Sequence, residues 1–379
     1  MEWRVPLSDV NFTSDEEEVV REVVHSGWLS MGAITQAFEA DFRAFTGAKH
    51  AFAVTNATAA LHLACLALEI GPGDEVILPS LTFVATANAV RYTGAVPVFA
   101  DIASLDDLNI SPNSIESLIT NKTKAIMVMH YGGFACDMPL INQIAETHGL
   151  SVIEDAAHGV GASLDGRALG TWGAIGCYSF FANKNMTTGE GGMLLTNDDT
   201  VAEKIQILRS HGMTTLTWDR HKGHAYTYDV VDLGYNYRID EIRSALGRVQ
   251  LKKVRDANQQ REALVSLYRR RISHQVPQIS VPFKEHPGES SHYIFPVLLP
   301  KGTDKLAFMA GMREHGIQTS WHYPPVHHFR IYEDDWRARN NQLPLTEETA
   351  QREITLPLYP TMSEEQVHWV VDAMDQLLN

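Results

Sequence analysis

Cys177-Tyr178-Ser179-Phe180-Phe181-Ala182-Asn183-Lys184-Asn185 runs on into Met186-Thr187-Thr188-Gly189-Glu190-Gly191-Gly192. The first part reads as a strand that ends in a single lysine, and the second breaks into a Thr/Gly turn. Most lysines are solvated surface residues. This one is flanked by aromatic, small and glycine residues rather than by other charges, so backbone can approach a ligand closely and the ammonium can lose water. A desolvated lysine titrates lower and can form a Schiff base with an aldehyde.

Upstream, Ser151-Val152-Ile153-Glu154-Asp155-Ala156-Ala157-His158-Gly159 is an apolar strand that delivers an aspartate just before small residues. That places a carboxylate at a strand's carboxyl end, where open α/β sheets keep their ligands. Alone it could be an ordinary turn-starting Asp. Paired with Lys184, it fits the partner of a protonated pyridine nitrogen, the charge pair that makes pyridoxal phosphate an electron sink. In Val54-Thr55-Asn56-Ala57-Thr58-Ala59-Ala60-Leu61 a strand runs into a helix whose first turn is built of small and hydroxyl-bearing residues. Free backbone N–H groups and the helix dipole then face one anion, as in a phosphate cradle, although an ordinary capped helix would read the same way.

Together the three stretches resemble the sugar aminotransferases of the DegT/StrS family, fold-type I pyridoxal-phosphate enzymes. The resemblance extends from Gly27-Trp28-Leu29-Ser30-Met31-Gly32 to Leu356-Pro357-Leu358-Tyr359-Pro360. It is carried most strongly by Glu154-Asp155-Ala156-Ala157-His158, by Ser179 to Gly192 and by Gly234-Tyr235-Asn236-Tyr237-Arg238. It implies that Lys184 holds the cofactor covalently and moves the proton, and that Asp155 pairs with the pyridinium nitrogen. Ser179, Ala57 and Thr58 match the phosphate-binding positions, His158 a residue on the ring-oxygen side, and Phe83 an aromatic stacked on the ring. Asn236 matches an asparagine that reaches the neighbouring subunit's phosphate, which implies a homodimer with shared sites. Glycine is frequent where Ala57 stands. Phe181 occupies a variable position and receives no role. A dehydrating branch of the family has histidine in place of the lysine, so Lys184 favours amino transfer.

The 379 residues suffice for about two domains. With 44% hydrophobic and 20% charged residues the composition is that of a globular enzyme. The formal net charge of -15 argues against nonspecific nucleic-acid binding but leaves room for a nucleotide-linked substrate, whose diphosphate needs only a few local positive groups. Cys65, Cys136 and Cys177 are far apart and form no CxxC pair, so reduced thiols are expected rather than a disulfide framework or a structural zinc. The N-terminus lacks a secretory pattern and no apolar run reaches spanning length, so a cytoplasmic protein without membrane contact is expected.

Thr13 or Ser14 is placed to cap a first helix whose apolar face is Val19, Val20, Val23 and Val24, and a second helix spans about Ile34 to Phe45. Seven short apolar runs read as strands: Ala51–Thr55, Glu75–Leu78, Val96–Phe99, Ala125–His130, Ser151–Glu154, Ala174–Phe181 and Met193–Thr196. Helical segments such as Ala59–Glu69, Ala85–Tyr92 and Ile141–His148 separate several of them. The expectation is an α/β fold, a mostly parallel sheet of roughly seven strands with helices on both faces. A long helix, Ile239–Ile272, leads into a smaller α+β domain, and the domains are expected at 1–245 and 246–379.

The aromatic stretch from His211 to Val231, with Trp218, is expected over the substrate entrance. His221 and His224 have ligand spacing but no carboxylate or cysteine cluster, so no metal is expected. In Trp321-His322-Tyr323-Pro324-Pro325-Val326-His327-His328, the family's matching His-Tyr-x-Pro-x-His stretch approaches the active site, which makes His322, Tyr323 and His327 substrate candidates beside Trp218. A packed turn with partly buried histidines is the other reading.

The reaction expected from the resemblance passes an amino group from an amino acid, most often glutamate, to a nucleotide-linked keto sugar, with the cofactor alternating between pyridoxal and pyridoxamine phosphate. A 4-keto-6-deoxyhexose is preferred and a 3-keto sugar or keto-cyclitol is the near alternative. No arginine stands in a motif for the donor carboxylate. A pyridoxal-phosphate lyase or dehydratase, and a non-enzymatic regulator, are the competing classes.

Overall fold

The computed structural model describes residues 3–214, 227–333 and 342–379. The seven expected strands all join one sheet: β1 (His50–Val54), β2 (Glu75–Pro79), β3 (Val96–Ala100), β4 (Thr123–Met129), β5 (Ser151–Asp155), β8 (Ile175–Ser179) and β9 (Gly192–Thr196). The two-residue strands β6 (Ser163–Leu164) and β7 (Arg167–Ala168) form a separate hairpin. The sheet order is β1-β9-β8-β5-β4-β2-β3. Within it β9 runs antiparallel to both β1 and β8, and the other pairs are parallel. An antiparallel β8–β9 pair needs no crossover helix, so a short connection suffices. That connection holds Lys184, which is thereby set just beyond the carboxyl end of β8.

The strands lack polar alternation because both faces are covered. On one face Val76, Leu78, Met127 and Ile153 pack against α3 (Ala57–Ala67), α4 (Val84–Tyr92) and α7 (Asp199–Leu208). On the other, Ile77, Val98, Ile126 and Val128 pack against α5 (Pro112–Leu118) and α6 (Met138–His148). Asn56 caps α3 by accepting the Ala59 N–H at 2.8 Å. Leu61 and Leu63 of α3 are fully buried, each contributing about 2 kcal/mol.

At the N-terminus, α1 (Ser14–Ser26) and α2 (Ala33–Thr46) are tied to the long helix α8 (Glu241–Gln275) by two buried carboxylates. Glu241 accepts the Gly32, Ile34 and Thr35 N–H groups at 2.8, 2.8 and 2.9 Å, satisfying the donors that begin α2. Burial opposes ionisation of Glu16, but Lys253, Thr13 and Gln250 hold it at about 2.

α8 has 35 residues, about 50 Å at 1.5 Å per residue. Its Leu251 and Val254 pack in the core of the large domain, with Phe38, Phe42 and Tyr178. Leu264, Val265, Tyr268 and Ile272 pack in the core of the small one. The boundary expected at 245/246 lies inside this continuous helix. The small domain is an antiparallel pair, β10 (Phe295–Leu298) and β11 (Glu353–Leu356), with α9 (Lys305–Glu314), α10 (Pro344–Arg352) and α11 (Glu364–Leu378). Val5 from the N-terminus bridges Ile317 and enters the same core. Among the described residues no helix is long and apolar enough to cross a membrane, and Cys65, Cys136 and Cys177 are buried and unpaired.

Candidate active site

The carboxyl ends of β1, β5 and β8 lie along one edge of the sheet. They border a cavity of about 450 Å3 lined by Thr58, Phe83, Asp155, His158, Ser179 and Lys184, with Ala57, His322 and Tyr323, all among the residues expected there. Asn236 is exposed and lies outside this chain's cavity, and so does His327, whose ring bonds Ser80 Oγ at 2.6 Å and Glu347 Oε1 at 2.7 Å. Trp218, His221 and His224 fall outside the described residues.

Lys184 is held by its neighbours. Its N–H donates to the Phe181 carbonyl at 3.0 Å, and the Asn185 side-chain amide donates to Asn258 Oδ1 of α8 and to the Ser291 carbonyl at 2.7 and 2.6 Å. Nζ sits 4.0 Å from the centroid of the Tyr293 ring. Lys184 borders the cavity but is otherwise enclosed by protein. This burial pushes its ammonium down to about 7, against the pull of Asp155.

Asp155 is buried at the end of β5. Its Oδ2 accepts the Thr86 hydroxyl at 2.8 Å and its Oδ1 the Ala157 N–H at 3.1 Å. Burial raises its pKa, while those two donors and the Lys184 charge hold it back. A buried acid and a half-buried amine thus face one cavity with their proton affinities brought toward each other, an arrangement suited to proton chemistry.

The start of α3 is drawn onto the sheet by Gly192. A Cβ there would lie 2.6 Å from the Asn56 carbonyl carbon and 2.8 Å from the Ala57 nitrogen, so only glycine lets the two backbones meet. Of the first-turn amides of α3, those of Ala59 and Ala60 bond Asn56, while Ala57 and Thr58, which have no intrahelical acceptors, stand beside Ser179 at the cavity wall. His158 Nδ1 accepts the Gly132 N–H at 3.2 Å, which leaves the proton on Nε2, 2.9 Å from the Tyr323 hydroxyl. Burial first, then the Lys184 charge, keeps its imidazole neutral, well below the usual histidine range. Phe83 is 55% exposed, its ring 5.7 Å from that of Tyr323.

These groups fit pyridoxal phosphate. The amine is partly neutral near pH 7, the buried carboxylate is oriented by two donors, and a helix N-terminus with two hydroxyls is set where a phosphate would rest. Thr86, Tyr293, Asn183 and Asn56 belong to the site but were not read from the sequence. Asn183 adjoins Lys184 and Thr86 lies three residues past Phe83, so position was their only cue. Tyr293 is 109 residues from Lys184 and carries no cue at all. Among the described residues lining the cavity there is no arginine. A larger crevice of about 790 Å3 opens along α8 beside Arg255 and Arg269, but neither Lys184 nor Asp155 borders it.

Comparison with known proteins agrees with this geometry. Residues 11–375 match the model of the DegT/DnrJ/EryC1/StrS aminotransferase family. The chain is 40% identical to the spore coat polysaccharide biosynthesis protein SpsC of Bacillus subtilis, over 99% of this chain and 97% of that one. Its fold is similar to that of Helicobacter pylori PseC, an aminotransferase involved in the biosynthesis of pseudoaminic acid, with a TM-score of 0.91 and 29% identity over 99% of each chain. A Streptococcus pneumoniae protein described as a sugar aminotransferase, solved in its PMP form, gives a TM-score of 0.91 at 27% identity over 99% of each chain, and it is also known in a PLP form.

Proposed function

Since the chain belongs to the DegT/DnrJ/EryC1/StrS aminotransferase family, whose sugar aminotransferases use pyridoxal phosphate, we propose that it moves an amino group from L-glutamate to a nucleotide-linked 4-keto-6-deoxyhexose, in the making of an amino sugar. The observation that carries this reading is the Lys184 amine and the buried Asp155 carboxylate at one cavity. The substrate class is supported by the likeness to SpsC, a protein of spore coat polysaccharide biosynthesis, and to the Streptococcus pneumoniae sugar aminotransferase.

Ser179, Thr58 and the Ala57 and Thr58 amides at the start of α3 would hold the cofactor phosphate, Asp155 the ring nitrogen, and Phe83 one face of the ring. Bound pyridoxal phosphate supplies an aldehyde that captures amines and a ring that takes up the electron pair left when a Cα–H bond breaks. Lys184 then acts through Nζ. Near neutral pH its free amine accepts the proton from the donor's Cα and can give it back at the neighbouring carbon, which a lysine of ordinary pKa would do poorly. Tyr293 covers Nζ from one side and limits water there. His158, packed against the same Tyr293 ring, orients the Tyr323 hydroxyl. We also propose a homodimer, supported by the exposure of Asn236 away from its own cavity, and a cytoplasmic location.

The test is the absorbance spectrum of the purified protein loaded with pyridoxal phosphate, before and after adding glutamate. A Schiff-base band that shifts to the pyridoxamine form supports the reading, and nucleotide sugars are then screened for amination. A band that no amino acid shifts overturns amino transfer in favour of a lyase or regulator. Absence of any band overturns the assignment of Lys184.

A further inference from the structure

β11 presents alternate residues to opposite sides, as any strand does. Ile354 and Leu356 enter the core of the small domain. Glu353 and Thr355 point the other way and are buried against His322. There they form a continuous chain: Glu353 Oε1 lies 2.7 Å from Thr355 Oγ1, and Thr355 Oγ1 lies 2.8 Å from His322 Nδ1. Glu353 Oε2 also accepts the His322 backbone N–H at 2.9 Å, and the Tyr131 hydroxyl donates to the His322 carbonyl, so the loop is clamped at both backbone atoms. The far nitrogen, His322 Nε2, has no hydrogen-bond partner among the described residues, and the ring borders the cavity that holds Lys184.

We propose that Glu353 and Thr355 are positioning residues that decide which nitrogen of His322 carries the ring proton, and so whether Nε2 meets a hydroxyl of the sugar acceptor as hydrogen-bond acceptor or donor. An ionised carboxylate only accepts. It takes the Thr355 proton, Thr355 Oγ1 takes Nδ1–H, and Nε2 is left bare. When a proton enters at Nε2 from the cavity, Nδ1 passes its proton to Thr355 and Thr355 passes its own to Glu353. The ring ends neutral with Nε2–H, and the carboxyl holds the added proton.

Two features of the surroundings suit this chain. Burial and then the Lys184 charge push His322 down to about 3, so the imidazole stays neutral in either state. Burial pushes Glu353 up to about 8, against Thr355, the His322 N–H and the Lys305 charge, so both of its forms are reached near neutral pH. The other groups that face it are Tyr131 and Tyr323, both held protonated by burial, and Lys305, whose Nζ bonds the Ala350 carbonyl above the Trp321 ring.

The proposal takes from the function above only that the acceptor bears hydroxyls, and the tautomer itself is read without substrate. Cofactor-loaded protein labelled with 15N-histidine is followed by NMR from pH 6 to 10, with the His322 ring signals assigned by their loss in His322→Asn. The expected result is a neutral ring that changes from Nε2–H to Nδ1–H near pH 8, with the crossover abolished in Thr355→Val and Glu353→Gln and retained in Thr355→Ser. Once an acceptor is known, Thr355→Val should raise its KM about tenfold while kcat changes much less. A wild-type ring that keeps one tautomer throughout, or becomes charged, overturns the chain. A crossover that survives Thr355→Val does so as well. A KM unmoved in a variant that has lost the crossover overturns the contact with the acceptor. If no nucleotide sugar is aminated although the crossover is seen, the proposed function fails and the proton chain stands.

Discussion

Replacing Gly192 by Ala tests how closely the start of α3 must approach β9. The added Cβ would lie 2.6 Å from the Asn56 carbonyl carbon, whereas ordinary contacts begin at 3.4 Å, so the backbone of Asn56 and Ala57 must retreat by about 0.8 Å. The substitution changes no charge, removes no hydrogen-bond donor and does not ask for an unusual φ. Overpacking of this kind costs about 1–3 kcal/mol of stability. A site displaced by about 1 Å loses on the order of a hundredfold in function. The expected outcome is therefore a folded protein with a modestly lower melting temperature and a Kd for pyridoxal phosphate raised about 10- to 100-fold. Absorbance titration of the cofactor and calorimetry of the cofactor-free protein measure the two effects separately. Gly189→Ala is the control. Its φ of +78° costs about 1 kcal/mol of strain, but a Cβ there meets nothing within 4 Å, so cofactor affinity should hold. A folded Gly192→Ala variant that binds the cofactor within twofold of wild type would refute the phosphate cradle at Asn56–Thr58.

Lys184 loses its proton near pH 7 rather than near 10.5, so in cofactor-free protein its acylation, read by mass spectrometry of its peptide, should rise through pH 7 and level off by about pH 8. Asp155→Asn removes the charge that favours the ammonium, so the midpoint should move lower still; a rate that keeps climbing to pH 10 contradicts the burial argument. Glu154 is fully buried and accepts His130 Nε2, the Gly170 N–H and the Gly173 N–H at 2.9, 2.6 and 2.6 Å. Glu154→Gln turns a donor toward these donors and should cost about 3–5 kcal/mol in urea unfolding; a loss below about 1 kcal/mol would refute it. Asn185→Ala frees the residue after the lysine from Asn258 and Ser291, and should lower kcat about tenfold with the cofactor band intact, as single-turnover absorbance will show.

Much of the fold was legible because its signals are local. The seven sheet strands are short apolar runs set off by helices or turns, and each lies within a few residues of its expected place. A lysine between an apolar strand and a Gly/Thr turn is likewise a statement about neighbours in the chain. Shorter elements escaped. Helix α5 has seven residues, too few for its periodicity to show above its Ser111 cap and Pro112, and β11 is hidden behind the charged Glu353.

That glutamate shows where local reading stops. In the sequence Glu353 resembles any solvated carboxylate beside Arg352, and Tyr293 any strand aromatic. Only packing of the small domain buries the first behind His322 and sets the second against Lys184. The sequence by itself determined the order of the seven sheet strands, the cap of the first helix and the chemical types of the groups at the strand ends, because these depend on residues within a turn or two of each other. The tertiary structure decided which of those groups share a cavity and how readily they hold protons, because a proton affinity depends on the surroundings that replace water, and those come from distant parts of the chain.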